Sequence, residues 1–195
     1  RFFLGKIMHL YAENSSNVNL LEMCTDYQTN FHRHTIKIAT NIPGREVFRI
    51  NFSLKNLNHL LGFHKLSSYP ANSFDELLSM IFNEQYTYND IRQDESYKEI
   101  RNRFENYYFF NEVFYPRTDE MEKQQILISI KDRPQNRLGK TELIIYKPFD
   151  RRRNVIIGFV NAYSDIFVPS TLHVRLNNEF FNSYKATISN KTWIQ

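Results

Sequence analysis

The sequence predicts an α+β fold, an antiparallel sheet packed on helices, and three observations carry that expectation. Segments with helical spacing of apolar residues crowd the stretch from 54 to 114. Segments that alternate apolar and polar residues flank it, two before and four after. The connections are short, which suits antiparallel neighbours packed on helices rather than long parallel crossovers. With 195 residues the chain has the size of a single domain, 1–195, with a helical insert at about 73–115.

Taken in order, residues 3–28 place Leu4, Ile7, Met8 and Tyr11 near helical spacing, with "ENSSN" as a break. "HTIKIATNI" (34–42) and "REVFRINFS" (45–53) alternate like strands, and "PG" between them makes a hairpin turn. Helices are expected over 54–66, over 74–85 behind a Ser73 cap with Glu76 completing a capping box, and over roughly 94–114. Four strands should follow: 125–131, 141–149, 154–162 and 165–176. A short helix near 177–185 is expected to close the fold.

Composition narrows the function classes. Hydrophobic content of 42% with 24% charged residues reads as a globular, soluble chain. No apolar run approaches the roughly 18 residues of a membrane span. "RFFLGKIMHLY" is interrupted by Lys6 and His9 and is a poor signal peptide, while a start at Arg1 fits a trimmed or partial sequence. The single cysteine, Cys24, excludes an internal disulfide and suits a cytoplasmic location. Zinc spacings are absent, and "NDIRQDE" (89–95) and "TDEMEK" (118–123) read as helix-start and loop charges, so no metal or other cofactor is expected.

The net charge of +4 is unevenly spread. Residues 131–153 hold eight positive side chains against three negative ones, a local surplus of +5. Arg151, Arg152 and Arg153 fall in the turn between two strands and could grip an RNA backbone, or could simply be solvated. The aromatic run "FENYYFFNEVFY" (104–115) offers rings for base stacking, but rings on a helix more often form core or a homo-oligomer contact.

Two segments carry candidate chemistry. On a wheel of about 100° per residue, Leu54, Leu57, Leu60 and Leu61 form one stripe. If the helix runs through Gly62, His64 falls in that stripe and should be a buried structural imidazole. His59 lies off the stripe, where it can look into a cleft, and is the better catalytic candidate. Their i, i+5 spacing predicts different faces. In "IFVPSTLHVRL", period two puts Thr171, His173 and Arg175 on one sheet face and Ile166, Val168, Leu172 and Val174 on the other. A hydroxyl, an imidazole and a guanidinium in a row suit a phosphate, although a merely polar solvent face has the same pattern. Pro169 could add a bulge that shifts this register. Tyr146 and Lys147 sit at the end of the strand before the arginine turn.

"NFSLKNLNHLLGFHKL", followed by "IIYKPFDRRRNVIIGFVNAYSDIFVPSTLHV", resembles the phage-associated barnase–EndoU–colicin–RelE-like nucleases, in particular their fourth group. The resemblance rests on a short helix with Asn, His and Gly, matched by 56–62 around His59, and on a late strand reading P-x-[ST]-[FL], matched by 169–172 with Thr171. It covers roughly 54–66 and 141–176. It implies a barnase/EndoU/RelE-like α+β domain and metal-independent RNA cleavage.

In such a ribonuclease the 2′-hydroxyl attacks the adjacent phosphate and leaves a 2′,3′-cyclic phosphate. His59 would be base or acid, and His173 or Tyr146 the complementary proton donor. Lys147 and Arg175 would hold the scissile phosphate, with Thr171 bonding a non-bridging oxygen. A toxin or phage-defence effector restrained by an antitoxin or immunity protein fits that activity. A non-catalytic protein- or nucleic-acid-binding module of a mobile genetic element is the alternative.

Overall fold

A computed structural model describes residues 10, 18–115, 127–130, 140–176 and 184–194. The expectations for 3–9 and 11–17, and for 177–183, lie outside them. The fold is α+β. Its elements run α1 (Leu20–Asn30), β1 (Thr35–Thr40), β2 (Val47–Asn51), a π-helical turn (Asn58–Gly62) with a 3-10 turn (Phe63–Lys65), and α2 (Phe74–Phe82). Then come α3 (Tyr88–Gln93), α4 (Tyr97–Glu105), α5 (Phe109–Phe114), β3 (Leu127–Ile130), β4 (Leu143–Pro148), β5 (Arg153–Tyr163), β6 (Ile166–Leu176) and β7 (Tyr184–Ile194).

Local signals set most of these ends. Asn19 caps α1, its Oδ1 accepting from Glu22 N at 3.2 Å. Ser73 caps α2 in the same way through Glu76 N. The Glu76 carboxylate reaches one residue further back than a capping box requires, to Asn72 N at 2.8 Å. The single helix expected over 94–114 is two, because the chain turns at 106–108 between α4 and α5. Its aromatic run is core: Phe104, Tyr107, Phe109, Phe110 and Phe114 are all buried. Phe110 and Phe114 pack edge-on against Phe31, which also meets Trp193 of β7.

The strands close on themselves in the order β1-β2-β6-β5-β4-β3-β7. Every pairing is antiparallel except β2 with β6, a parallel seam of two residue pairs, Arg49↔Ile166 and Ile50↔Phe167. Closure depends on β7, and there the expectation of a terminal helix to 185 fails: Tyr184 already begins a strand. Its alternation is hidden by a register shift opposite Ala39 and Thr40, so Ala186 is buried while Lys191 and Trp193, three residues or more beyond Ile188, are the next to turn inward.

A similar shift occurs in β6. Gly158 pairs with Thr171 and Phe159 with Pro169, leaving Ser170 as the bulge, its hydroxyl donating to Gly158 O at 3.0 Å. The proline bulge therefore exists, and it reverses the predicted faces before residue 170. Phe167 and Pro169 are buried, and Ile166 and Val168 are not. Beyond the bulge the predicted alternation holds.

Lys147 shares the inward face of β4 with Leu143 and Ile145. There it pairs with the carboxylate of Glu112 on α5 and lies over the rings of Tyr108 and Phe109. Removing one member of a buried pair strands the other charge, at roughly 3–5 kcal/mol. Lys147→Ala should therefore lower the urea midpoint by a corresponding amount. An unchanged midpoint would show that this pair contributes nothing to the fold.

Candidate functional site

The site assembles where the π turn and α4 pack on the outer face of β6. Beyond the bulge, register sets two rows across three strands: Tyr146–Ile156–His173 and Pro148–Asn154–Arg175. Thr171 sits opposite Gly158, where an added Cβ would meet the Thr171 methyl at 2.7 Å, so the glycine permits the strand's close approach. Thr171, His173 and Arg175 do share one face, as period two predicts.

Above that face lies Arg103 of α4, a residue outside the sequence-based candidates. It is 3% exposed. Its Nη1 donates to the carbonyls of His59 and Leu60, and its Nη2 approaches His173 Nε2 at 3.0 Å. An arginine can only donate, so Nε2 accepts, and His173 is neutral with its proton on Nδ1. Burial, helped by Arg103 and Arg175, pushes the His173 pKa down to about 3. His173 therefore orients Arg103 and has no proton to give at neutral pH, which departs from the donor role expected for it.

Arg103 itself is held down to about 10 by burial and then by the nearby Arg175, with the Glu99 carboxylate acting in the opposite sense, so it stays charged at neutral pH. It has no carboxylate within salt-bridge reach among the described residues. Its Nε and that of Arg175 are both buried without a hydrogen-bond partner among the described residues. Two guanidiniums thus converge with donors unspent. Buried unpaired donors and unneutralised charge are costly, which makes such a cluster attractive to an anion.

The two histidines form the rim. The π turn adds a residue to the helical turn and Gly62 ends it at φ +80°, a left-handed conformation that L side chains rarely adopt. An added Cβ there would also meet Ile100 Cγ2 at 2.8 Å and Arg103 Cδ at 3.1 Å. The reversal brings the His59 and His64 rings to 4.6 Å between centroids, where a regular helix would separate them. Both are exposed, so the expectation of a buried His64 is overturned by the break at Gly62. His64 Nδ1 lies 3.0 Å from Asn58 O, and since a carbonyl only accepts, Nδ1 carries the proton and Nε2 presents a lone pair. Partial desolvation of the ring lowers the His64 pKa, only partly countered by that hydrogen bond.

The other candidates separate. Tyr146 is in the His173 row but two strands away, roughly 10 Å, and buried; burial raises its pKa. Lys147 points to the opposite face, into the core, and does not join Arg175. In the β4–β5 turn, Asp150 accepts from the backbone N–H of Arg152 and Arg153 and from the Arg153 side chain. Arg151 and Arg152 are exposed beside it. Among the described residues no group of three or more His, Cys, Asp or Glu could hold a metal ion. No helix there is long and apolar enough to cross a membrane. Comparison with family models, curated proteins and solved structures finds no match.

The His173 pKa has a consequence for stability. The unfolded imidazole titrates near about 6.5. As pH falls below that value the unfolded chain takes a proton that the folded one refuses until about 3, so folding stability drops across this window. His173→Gln keeps an acceptor for Arg103 but cannot titrate. Its denaturation midpoint should fall less than the parent's between pH 7 and pH 4.5. Equal losses would mean that His173 is protonated in the folded state.

Proposed function

We propose that this protein cleaves RNA without a metal, using the rim histidines for proton transfer and the paired arginines to hold the phosphate. The observation that carries this reading is Arg103: a buried cation with no salt-bridging carboxylate among the described residues, beside Arg175 and bonded to the turn that bears two exposed imidazoles. A phosphodiester supplies negative charge to this positive centre, and the field of the Arg103 and Arg175 guanidiniums stabilises the extra charge of the phosphorane. The resemblance of 56–62 and 169–172 to the barnase-like nucleases supports the same reading.

His64, neutral and offering Nε2, takes the proton of the 2′-hydroxyl as it attacks phosphorus. The bond to the 5′-oxygen breaks, and His59 returns a proton to that oxygen. Both rings are on exposed side chains that can turn to bracket the phosphate, since such rotamers exchange within nanoseconds. Thr171 contributes a hydroxyl to a non-bridging oxygen, and Arg151 and Arg152 hold the strand beyond the scissile bond. His173 positions Arg103 and is not itself a catalytic residue.

A labelled single-stranded RNA, incubated with the pure protein in excess chelator, should be cut to fragments ending in a 2′,3′-cyclic phosphate. A 2′-O-methyl strand and DNA should resist. His59→Ala and His64→Ala should each lower the rate by roughly 100-fold or more, the usual scale of a lost acid or base. Their folds should persist, because both side chains are exposed. Cutting that needs magnesium, or that survives both substitutions, would overturn the assignment.

A further inference from the structure

Tyr97, Arg101 and Glu105 follow one another at i+4 along α4, on the flank next to the buried row of Ile100, Arg103 and Phe104. They form one wall of a concavity of about 710 Å³ whose other walls include Tyr88, Tyr108 and Phe149. We propose that this concavity is a nucleotide subsite that takes one base and its phosphate from a single-stranded RNA. The proposal rests on the phosphodiester reading of the Arg103 cluster.

Three features favour that occupant. First, the walls are rings. The Tyr88 and Tyr97 hydroxyls bond each other at 2.9 Å, which satisfies them and leaves the rings to line the space. Phe149 is 44% exposed, a large apolar ring that the core does not use. The Arg153 guanidinium lies 5.0 Å from its centroid and covers one side, so a base can stack on the other.

Second, the charge balance suits a phosphate. The Glu105 carboxylate is already bound by Arg101 at 2.6 Å. Arg92 also lines the concavity, is exposed, and has no ion-pair partner among the described residues. Third, two elements that wall the concavity also lead to the Arg103 cluster. Asn106 lines it and follows Arg103 by one helical turn. The turn that supplies Phe149 starts beside the Pro148–Asn154–Arg175 row. Pro148 lies two strand spacings, roughly 10 Å, from Arg175, so an RNA held at Arg175 reaches the turn that bears Phe149 with the nucleotides that follow.

The test uses a short 2′-O-methyl RNA, uncuttable by the proposed chemistry, with one 2-aminopurine, and the free 2-aminopurine nucleotide as a separate arm. Binding should quench the strand's fluorescence. Phe149→Ala should remove the quench and weaken affinity about tenfold, within the range for one lost base stack. Arg92→Ala should weaken affinity and flatten its salt dependence. Both changes are at exposed positions, and circular dichroism should be unaltered. Wild-type affinity in both variants overturns the subsite, as does a free nucleotide that binds as tightly as the strand, which would make the ligand a mononucleotide. Cutting of unmodified RNA is followed in parallel. A strand that binds here but is never cut upholds the subsite and removes the catalytic reading. A strand cut with parental efficiency by both variants removes the subsite and leaves the catalytic reading standing.

Discussion

The buried guanidinium of Arg103 is the joint on which the outer layer of this protein depends. One side chain holds two carbonyls of the π turn and the imidazole of a sheet strand. Those groups come from 59–60, 103 and 173, so a single residue fixes three distant parts of the chain to one another. A charge taken out of water costs several kcal/mol even after relaxation. Two carbonyls and a neutral imidazole solvate it, but they do not neutralise it. The fold thus tolerates a positive centre that a carboxylate could have quenched, and keeps that centre beside a second arginine.

The helix break at Gly62 follows from the same joint. The glycine's hydrogen faces the Arg103 side chain, and any Cβ would push the guanidinium away from its partners. The left-handed turn needed for this approach also folds the chain back over the π turn. As a result two histidines five residues apart become neighbours. Close packing of an arginine, a glycine and a reversed chain direction therefore produces the histidine pair. The pair is a consequence of how the guanidinium is covered.

Much of the architecture could be read directly from residue pattern. The Ile36/Ile38 and Phe48/Ile50 alternation defined β1 and β2, and Ser73 with Glu76 marked the start of α2. Thr171, His173 and Arg175 were correctly placed on one face because no bulge intervenes after residue 170. Errors arose wherever one residue was inserted into a periodic element. The bulge at Ser170 inverted the first half of β6, the slip opposite Thr40 disguised β7, and the π turn moved His64 out of the leucine stripe. Arg103 is marked in the sequence by its neighbours: with Ile100, Phe104 and Tyr107 it occupies an i, i+3, i+4, i+7 stripe, a charge in an otherwise apolar row. Lys147 looked cationic and available because nothing local revealed Glu112, 35 residues earlier, as its partner.

The barrel's parallel seam is its shortest joint. β2 and β6 meet through two residue pairs, with Arg49 and Asp165, 116 positions apart, as a solvent-exposed ion pair at the edge. Such a pair contributes little by itself. Closing so long a chain segment loses entropy before the short seam can offset it, and the β4–β5–β6 meander needs no such closure to form. With two residue pairs against the six of the β1–β7 ladder, which closes a still longer segment, the seam has the least pairing to offset its closure. The Arg49 amide, which donates across the seam to Asp165 O, should therefore exchange faster than the amides of the long β5–β6 ladder around His173.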